Sequence, residues 1–87
     1  MELEFTSEAI SDLVYWKKIN NKVIINRINK LLKDILDHPF EGLGKPELLK
    51  SDHKGIWSRR ITKEHRILYL VKDKVVYIMS LKGHYNL

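Results

Sequence analysis

Seven polar residues in the second half of this 87-residue chain are of the types that acid–base chemistry on a phosphodiester uses: Glu47, Arg59, Arg60, Glu64, Arg66, His84 and Tyr85. Cleaving RNA without a metal takes a base to remove the ribose 2′-OH proton, cations to stabilise the charged phosphorane, and an acid to protonate the leaving 5′-oxygen. A carboxylate, arginines and a histidine are suited to those three tasks. DNA lacks the 2′-OH, so such a site would act on RNA alone. The residues run from Glu47 to Tyr85, and strands pairing in one sheet are what could gather them.

Other chemistries find less support. The segment GLGKPE (Gly42–Glu47) lacks the Lys-Ser/Thr ending of a phosphate-binding loop and follows a helical pattern instead of a strand. His38, His53, His65 and His84 have no metal-ligand spacing, and with no cysteine there is no thiol nucleophile, disulfide or thiolate-bound metal. No apolar run approaches the ~20 residues of a membrane helix. The start MELEFTSE is acidic, unlike a signal peptide, so a cytoplasmic protein is expected.

Charge adds a second clue. Residues 1–40 hold six Lys/Arg and six Asp/Glu, whereas residues 41–87 hold ten and five, so the whole net charge of +5 lies in the second half. A basic surface attracts polyanions, above all nucleic acid; the plainer reading is a solvated face.

The elements that must position these residues read as helices first and strands afterwards. Leu3–Phe5 is extended, and Thr6 or Ser7 can cap a helix with Ala9, Ile10, Leu13 and Val14 at helical spacing. Asn20-Asn21 breaks it. A second helix carries Ile24, Ile28, Leu31 and Ile35, widened by Ile25, Leu32 and Leu36, and ends at His38-Pro39. Phe40–Glu47 reads as a loop. Strands are predicted over Ile56–Thr62, Arg66–Val71 and Val75–Leu81, the last two joined by Lys72-Asp73-Lys74. The expectation is one α+β domain over residues 1–87, a helical hairpin packed on a twisted antiparallel sheet. Alternation along the first of these strands sets Arg59 with Trp57 and Arg60 with Ser58, so the two arginines cannot line one face.

PFEGLGKPELLK (Pro39–Lys50), GIWSRRIT (Gly55–Thr62), EHRILY (Glu64–Tyr69) and the closing His84-Tyr85 together resemble YoeB-type toxins of the RelE/ParE superfamily of toxin–antitoxin modules. YWK (Tyr15–Lys17) and INKLLKDI (Ile28–Ile35) extend the resemblance over essentially the whole chain. It implies a fold like that of compact microbial ribonucleases, and cleavage of messenger RNA in the decoding site of the bacterial ribosome. It implies Glu47 as general base, His84 as general acid and Arg66 as the main phosphate ligand. Arg59 and Glu64 would support the phosphate and the histidine, and the resemblance favours Arg59 over Arg60 for the site. Tyr85 would hold or stack on substrate, while Lys45, Lys50 and Arg60 would contact RNA backbone. The products would be a 2′,3′-cyclic phosphate and a 5′-OH, with no metal or cofactor.

The resemblance also implies a YefM-like antitoxin of the Phd family, whose C-terminal segment folds on the toxin and whose N-terminal part binds operator DNA. The toxin would meet DNA only through that complex. A homodimer is expected, and no membrane. Three rival readings use the same residues differently: a basic module that only grips nucleic acid, a ParE-like gyrase poison, and an inactive co-repressor.

Overall fold

The computed structural model describes residues 1–50 and 55–83. His53, His84, Tyr85 and the Asn86-Leu87 tail lie outside the described residues.

The first strand, β1 (Glu2–Phe5), leads into helix α1 (Ser7–Lys18), and α2 (Lys22–Asp37) follows. Thr6 is the N-cap of α1: its hydroxyl accepts the Ala9 N–H, freeing Ser7 to be the first helical residue. Asn20 takes a left-handed conformation (φ 54°), and Asn21 caps α2 by accepting from the Ile24 N–H. Both Asn residues thus act at the break, as their side chains favour.

Four strands complete the sheet: β2 (Glu47–Leu48), β3 (Ile56–Arg60), β4 (Arg66–Lys72) and β5 (Val75–Ser80). Their order is β1-β5-β4-β3-β2. Successive pairs from β2 to β5 are antiparallel, as expected. The expectation of a wholly antiparallel sheet is corrected at one edge, because β1 joins β5 in parallel, with Leu3 opposite Val76 and Phe5 opposite Ile78. A four-residue strand carries no local signal of its partner's direction. The sheet is therefore mixed. The β4–β5 hairpin closes through Asp73-Lys74 alone, both at positive φ (52° and 64°), the geometry of a two-residue turn matched to strand twist.

The core lies between the helices and one sheet face. Ile24, Ile28, Leu31 and Ile35 of α2 are all buried, which matches their spacing, and they join Ile67, Tyr69, Val76 and Ile78 from the sheet. On α1 the expected apolar stripe is only half used. Ala9 and Trp16 are buried, but Ile10 and Val14 are 53% and 56% exposed. Trp16 takes the inward position, because its indole reaches the Leu81 carbonyl (2.9 Å) through Nε1.

Candidate active site

The other face of the sheet brings together residues from four strands. Glu47 of β2 lies opposite Ser58 of β3, Ser58 opposite Leu68 of β4, and Leu68 opposite Ser80 of β5. The neighbouring cross-strand pair is Arg60–Arg66. Period-two alternation puts Arg60 on the face of Ser58 and Arg66 on that of Leu68.

Arg66 is the centre of this group. Its Nη1 donates to the Ser58 hydroxyl at 3.3 Å and stands 3.9 Å from Glu47 Oε2. The Glu47 side chain is 69% exposed and that of Arg66 15%, so the carboxylate faces solvent while the guanidinium is largely sheltered. Ser58 itself is fully buried. Among the described residues, arginine and carboxylate thus stand side by side with most of their hydrogen-bonding capacity unused. The sequence pattern puts Glu47 at the end of a loop, whereas it opens β2. Two residues are too few to show a strand period, so β2 is invisible in the pattern. Ser58 was missed as a site residue, although its alternation with Arg60 was legible.

Arg59 requires a correction. It points to the helix side with Trp57 and is fully buried. Its Nε donates to the Tyr69 hydroxyl (3.1 Å), Nη1 to Asp34 Oδ2 (2.5 Å) and the Leu43 carbonyl (3.1 Å), and Nη2 to the carbonyls of His38 and Glu41. A guanidinium has five N–H groups, and all are taken, so none is left for a substrate phosphate. Arg59 supports the loop after α2 instead. The same Asp34 oxygen accepts the Leu43 N–H (2.9 Å), and the Tyr69 hydroxyl donates to the Pro39 carbonyl (2.6 Å). Gly42 (φ 112°) runs so close that a Cβ there would stand 2.2 Å from Asp34 Oδ2. Only glycine fits.

This network shifts two titrations. The Leu43 N–H, and after it the Arg59 guanidinium, hold the Asp34 carboxyl below its usual 3.8. Burial pushes the Tyr69 phenol above its usual 10.0, against the pull of Arg59.

The remaining expected residues are peripheral. Lys45 (φ 52°) and Lys50 are exposed on either side of β2. Arg60 is exposed, and its backbone N–H bonds the Gly44 carbonyl at 2.7 Å. Glu64 is exposed in the turn before β4, where its N–H bonds the Thr62 hydroxyl; among the described residues its carboxylate makes no ion pair. His84 and Tyr85 lie outside the described residues, but Gly83 is seen, and its carbonyl accepts the Arg66 N–H at 3.0 Å. A cleft of about 340 Å³ is lined by Glu8, Ile56, Leu68, Met79, Ser80, Lys82 and Gly83. Among the described residues no group of three or more His, Asp or Glu side chains is placed to hold a metal ion, and no helix is long and apolar enough to cross a membrane.

Comparison with known proteins agrees with this architecture. Residues 5–85 match the model of the YoeB-like toxin of bacterial type II toxin–antitoxin systems. Toxin YoeB of Escherichia coli K12 is 46% identical over 85 residues, which cover 98% of this chain and 100% of that protein. A YoeB/ParE toxin from Agrobacterium tumefaciens superposes with a TM-score of 0.93 at 38% identity, over 98% of this chain and 100% of that one. A YoeB–YefM complex and a YoeB dimer from Staphylococcus aureus give TM-scores of 0.87 and 0.89 at 44% and 43% identity, each over 98% of both chains. With two helices on a sheet that carries the Glu47–Arg66 pair, and with this similarity along its length, the chain belongs to the YoeB-like toxins of bacterial type II toxin–antitoxin systems.

Proposed function

We propose that this toxin is a ribosome-dependent endoribonuclease, cutting messenger RNA in the decoding site by attack of a ribose 2′-OH on the adjacent phosphate. The observation that carries the reading is the placing of Arg66 Nη1 within 3.9 Å of Glu47 Oε2 on an open sheet face. Glu47 takes the 2′-OH proton, and the 2′-oxygen attacks phosphorus. Arg66 stabilises the charge that builds on the phosphoryl oxygens. The bond to the 5′-oxygen breaks as His84 protonates that oxygen, leaving a 2′,3′-cyclic phosphate and a free 5′-OH. Atoms and protons balance without a metal or cofactor.

The lesser roles rest on exposure and on the resemblance to the family. Arg60, Lys45 and Lys50 are exposed around the pair and suit contacts with RNA phosphates, whether messenger or ribosomal. Tyr85 is assigned a stacking role on a substrate base, and Glu64 support of His84. The cleft beside Leu68 and Ser80 offers room for a nucleotide flanking the scissile bond. A YefM-like antitoxin neutralises the toxin, and operator DNA is bound only through their complex; a second copy of the chain completes the free toxin as a homodimer. Action on ribosomes would take place in the cytoplasm, where ribosomes are.

The test is messenger RNA cleavage on programmed ribosomes in the presence of a chelator, mapped to the nucleotide. Wild type cuts in the decoding site, while Glu47→Gln and His84→Gln bind the ribosome and each cleave about 10²–10⁴-fold more slowly. Undiminished cleavage by either variant would remove that residue from the mechanism. A folded wild type that binds but never cuts would leave only the gripping module or the gyrase poison.

A further inference from the structure

The chain leaving β5 is held twice before it reaches His84, and the second hold depends on a histidine given no task so far. At Leu81 the clamp belongs to α1. The Leu81 N–H donates to Asp12 Oδ2 (2.9 Å) and its carbonyl accepts from Trp16 Nε1 (2.9 Å). Two residues on, Gly83 is held in the same two-sided way by the start of β4. Its carbonyl accepts the Arg66 N–H (3.0 Å), and its own N–H donates to His65 Nδ1 (2.9 Å).

The imidazole is itself fixed. Its ring stands edge-on to Trp16, with centroids 4.8 Å apart and planes at 82°. Its backbone N–H bonds the Thr62 hydroxyl (3.1 Å), and its carbonyl accepts from Ile61 and Thr62. Because Nδ1 accepts, the ring proton sits on Nε2. Gly83 has a φ of 89°, and a Cβ there would meet nothing within 4 Å. Space is thus not what fixes Gly83, and a residue free to turn is pinned by hydrogen bonds. His65 supplies the one side-chain bond among them, while the adjacent Arg66 supplies both the other tether and the guanidinium beside Glu47.

We propose that His65 is a positioning residue for the reaction, its Nδ1 fixing Gly83, the residue that precedes the proposed general acid His84 in the chain. The proposal rests on the cleavage reading above. A hydrogen bond accepted by one atom of a ring makes a sharp demand on replacements. Asparagine places its Oδ1 where Nδ1 stands and can accept from Gly83. Glutamine places its oxygen where Nε2 stands and cannot, and leucine offers no acceptor.

Two measurements on the full chain test it. The first is the scalar coupling across the hydrogen bond between the Gly83 and His65 Nδ1 nitrogens, read by NMR on labelled toxin without ribosomes. The second is single-turnover cleavage on programmed ribosomes as a function of ribosome concentration. The coupling is expected in wild type. His65→Asn should cleave within a few-fold of wild type, whereas His65→Gln and His65→Leu should lose about 10²-fold in kcat with KM unchanged, the scale of a misplaced catalytic group. A purely packing role against Trp16 reverses that order, favouring leucine and glutamine over asparagine. That order, or no coupling in wild type, overturns the proposal. A wild type that shows the coupling yet cuts no RNA overturns the cleavage reading and leaves the clamp standing.

Discussion

Two arginines one strand apart illustrate how the same side chain is put to opposite uses. Arg59 on β3 faces the helices, is fully buried and spends all five N–H groups on Asp34, Tyr69 and three loop carbonyls. Arg66 on β4 faces the open side, and among the described residues its side chain has one hydrogen bond, to Ser58 at 3.3 Å, and a carboxylate at 3.9 Å. A buried guanidinium is tolerable only when every donor is satisfied, since each unmet one carries its full desolvation cost. A guanidinium with spare donors at a solvent-facing carboxylate is free to meet an anion. Satisfaction marks the structural arginine and its lack marks the one available for chemistry.

Breaking the structural arginine should give the largest effect. Replacing Arg59 with methionine leaves Asp34 without its cation and several loop carbonyls without donors. Removing one partner of a fully buried pair costs about 3–5 kcal/mol, and with 21% of the Asp34 side chain exposed the lower end of that range is expected. A domain of this size is expected to hold only about 4–13 kcal/mol in total, so the loss would leave little margin. Arg59→Lys should recover only part of it, because an ammonium has three donors for five acceptors. Urea unfolding measures both variants. A methionine variant as stable as wild type would show that loop and sheet do not depend on this network.

The complementary change comes next in size. Arg66→Gln should lower cleavage by about 10²–10³-fold, the scale seen when a donor to a developing oxyanion is removed. Its unfolding midpoint should stay close to that of wild type, since the side chain has few partners to lose. Cleavage rate and urea midpoint, measured on the same preparation, make the two arginines a double dissociation. If Arg66→Gln unfolds as readily as Arg59→Met, then satisfaction does not separate the two roles.

How much of this was legible differs from element to element. The α2 stripe was, because four buried residues at helical spacing are a local pattern with one solution. The antiparallel β3–β4–β5 core of the sheet was, through its β-branched runs. Parallel β1 and two-residue β2 were not, because pairing direction and very short strands leave no periodic trace. The choice between Arg59 and Arg60 was open to reasoning and was decided the wrong way. Arg59 alternates in step with Trp57 and Ile61, an apolar set that belongs against the helices, while Arg60 keeps step with Ser58. The pattern marked Arg59 as inward. What it could not show was that an inward arginine would find Asp34 on α2 and the carbonyls of the loop after it, contacts that exist only once the chain has folded.

The smallest expected effect sharpens the comparison by asking whether the Arg59 network works through charge. The Leu43 N–H and the Arg59 guanidinium hold the Asp34 carboxyl below 3.8, so its folded-state value lies under its unfolded one. A carboxylate lowered in this way adds stability that is fully present above the unfolded value and disappears as pH falls through the folded one. Asp34→Asn keeps an acceptor for Leu43 but gives up the charge. Wild type should therefore exceed Asp34→Asn in unfolding free energy by a constant amount at neutral pH, and the gap should close below pH 3.8 as Asp34 is protonated. The same unfolding experiments repeated at pH 7, 4 and 3 read the gap directly. A gap that persists undiminished at pH 3 and lower would assign Asp34's contribution to hydrogen-bond geometry alone, and would make the Arg59 cluster a polar scaffold in which the positive charge is incidental.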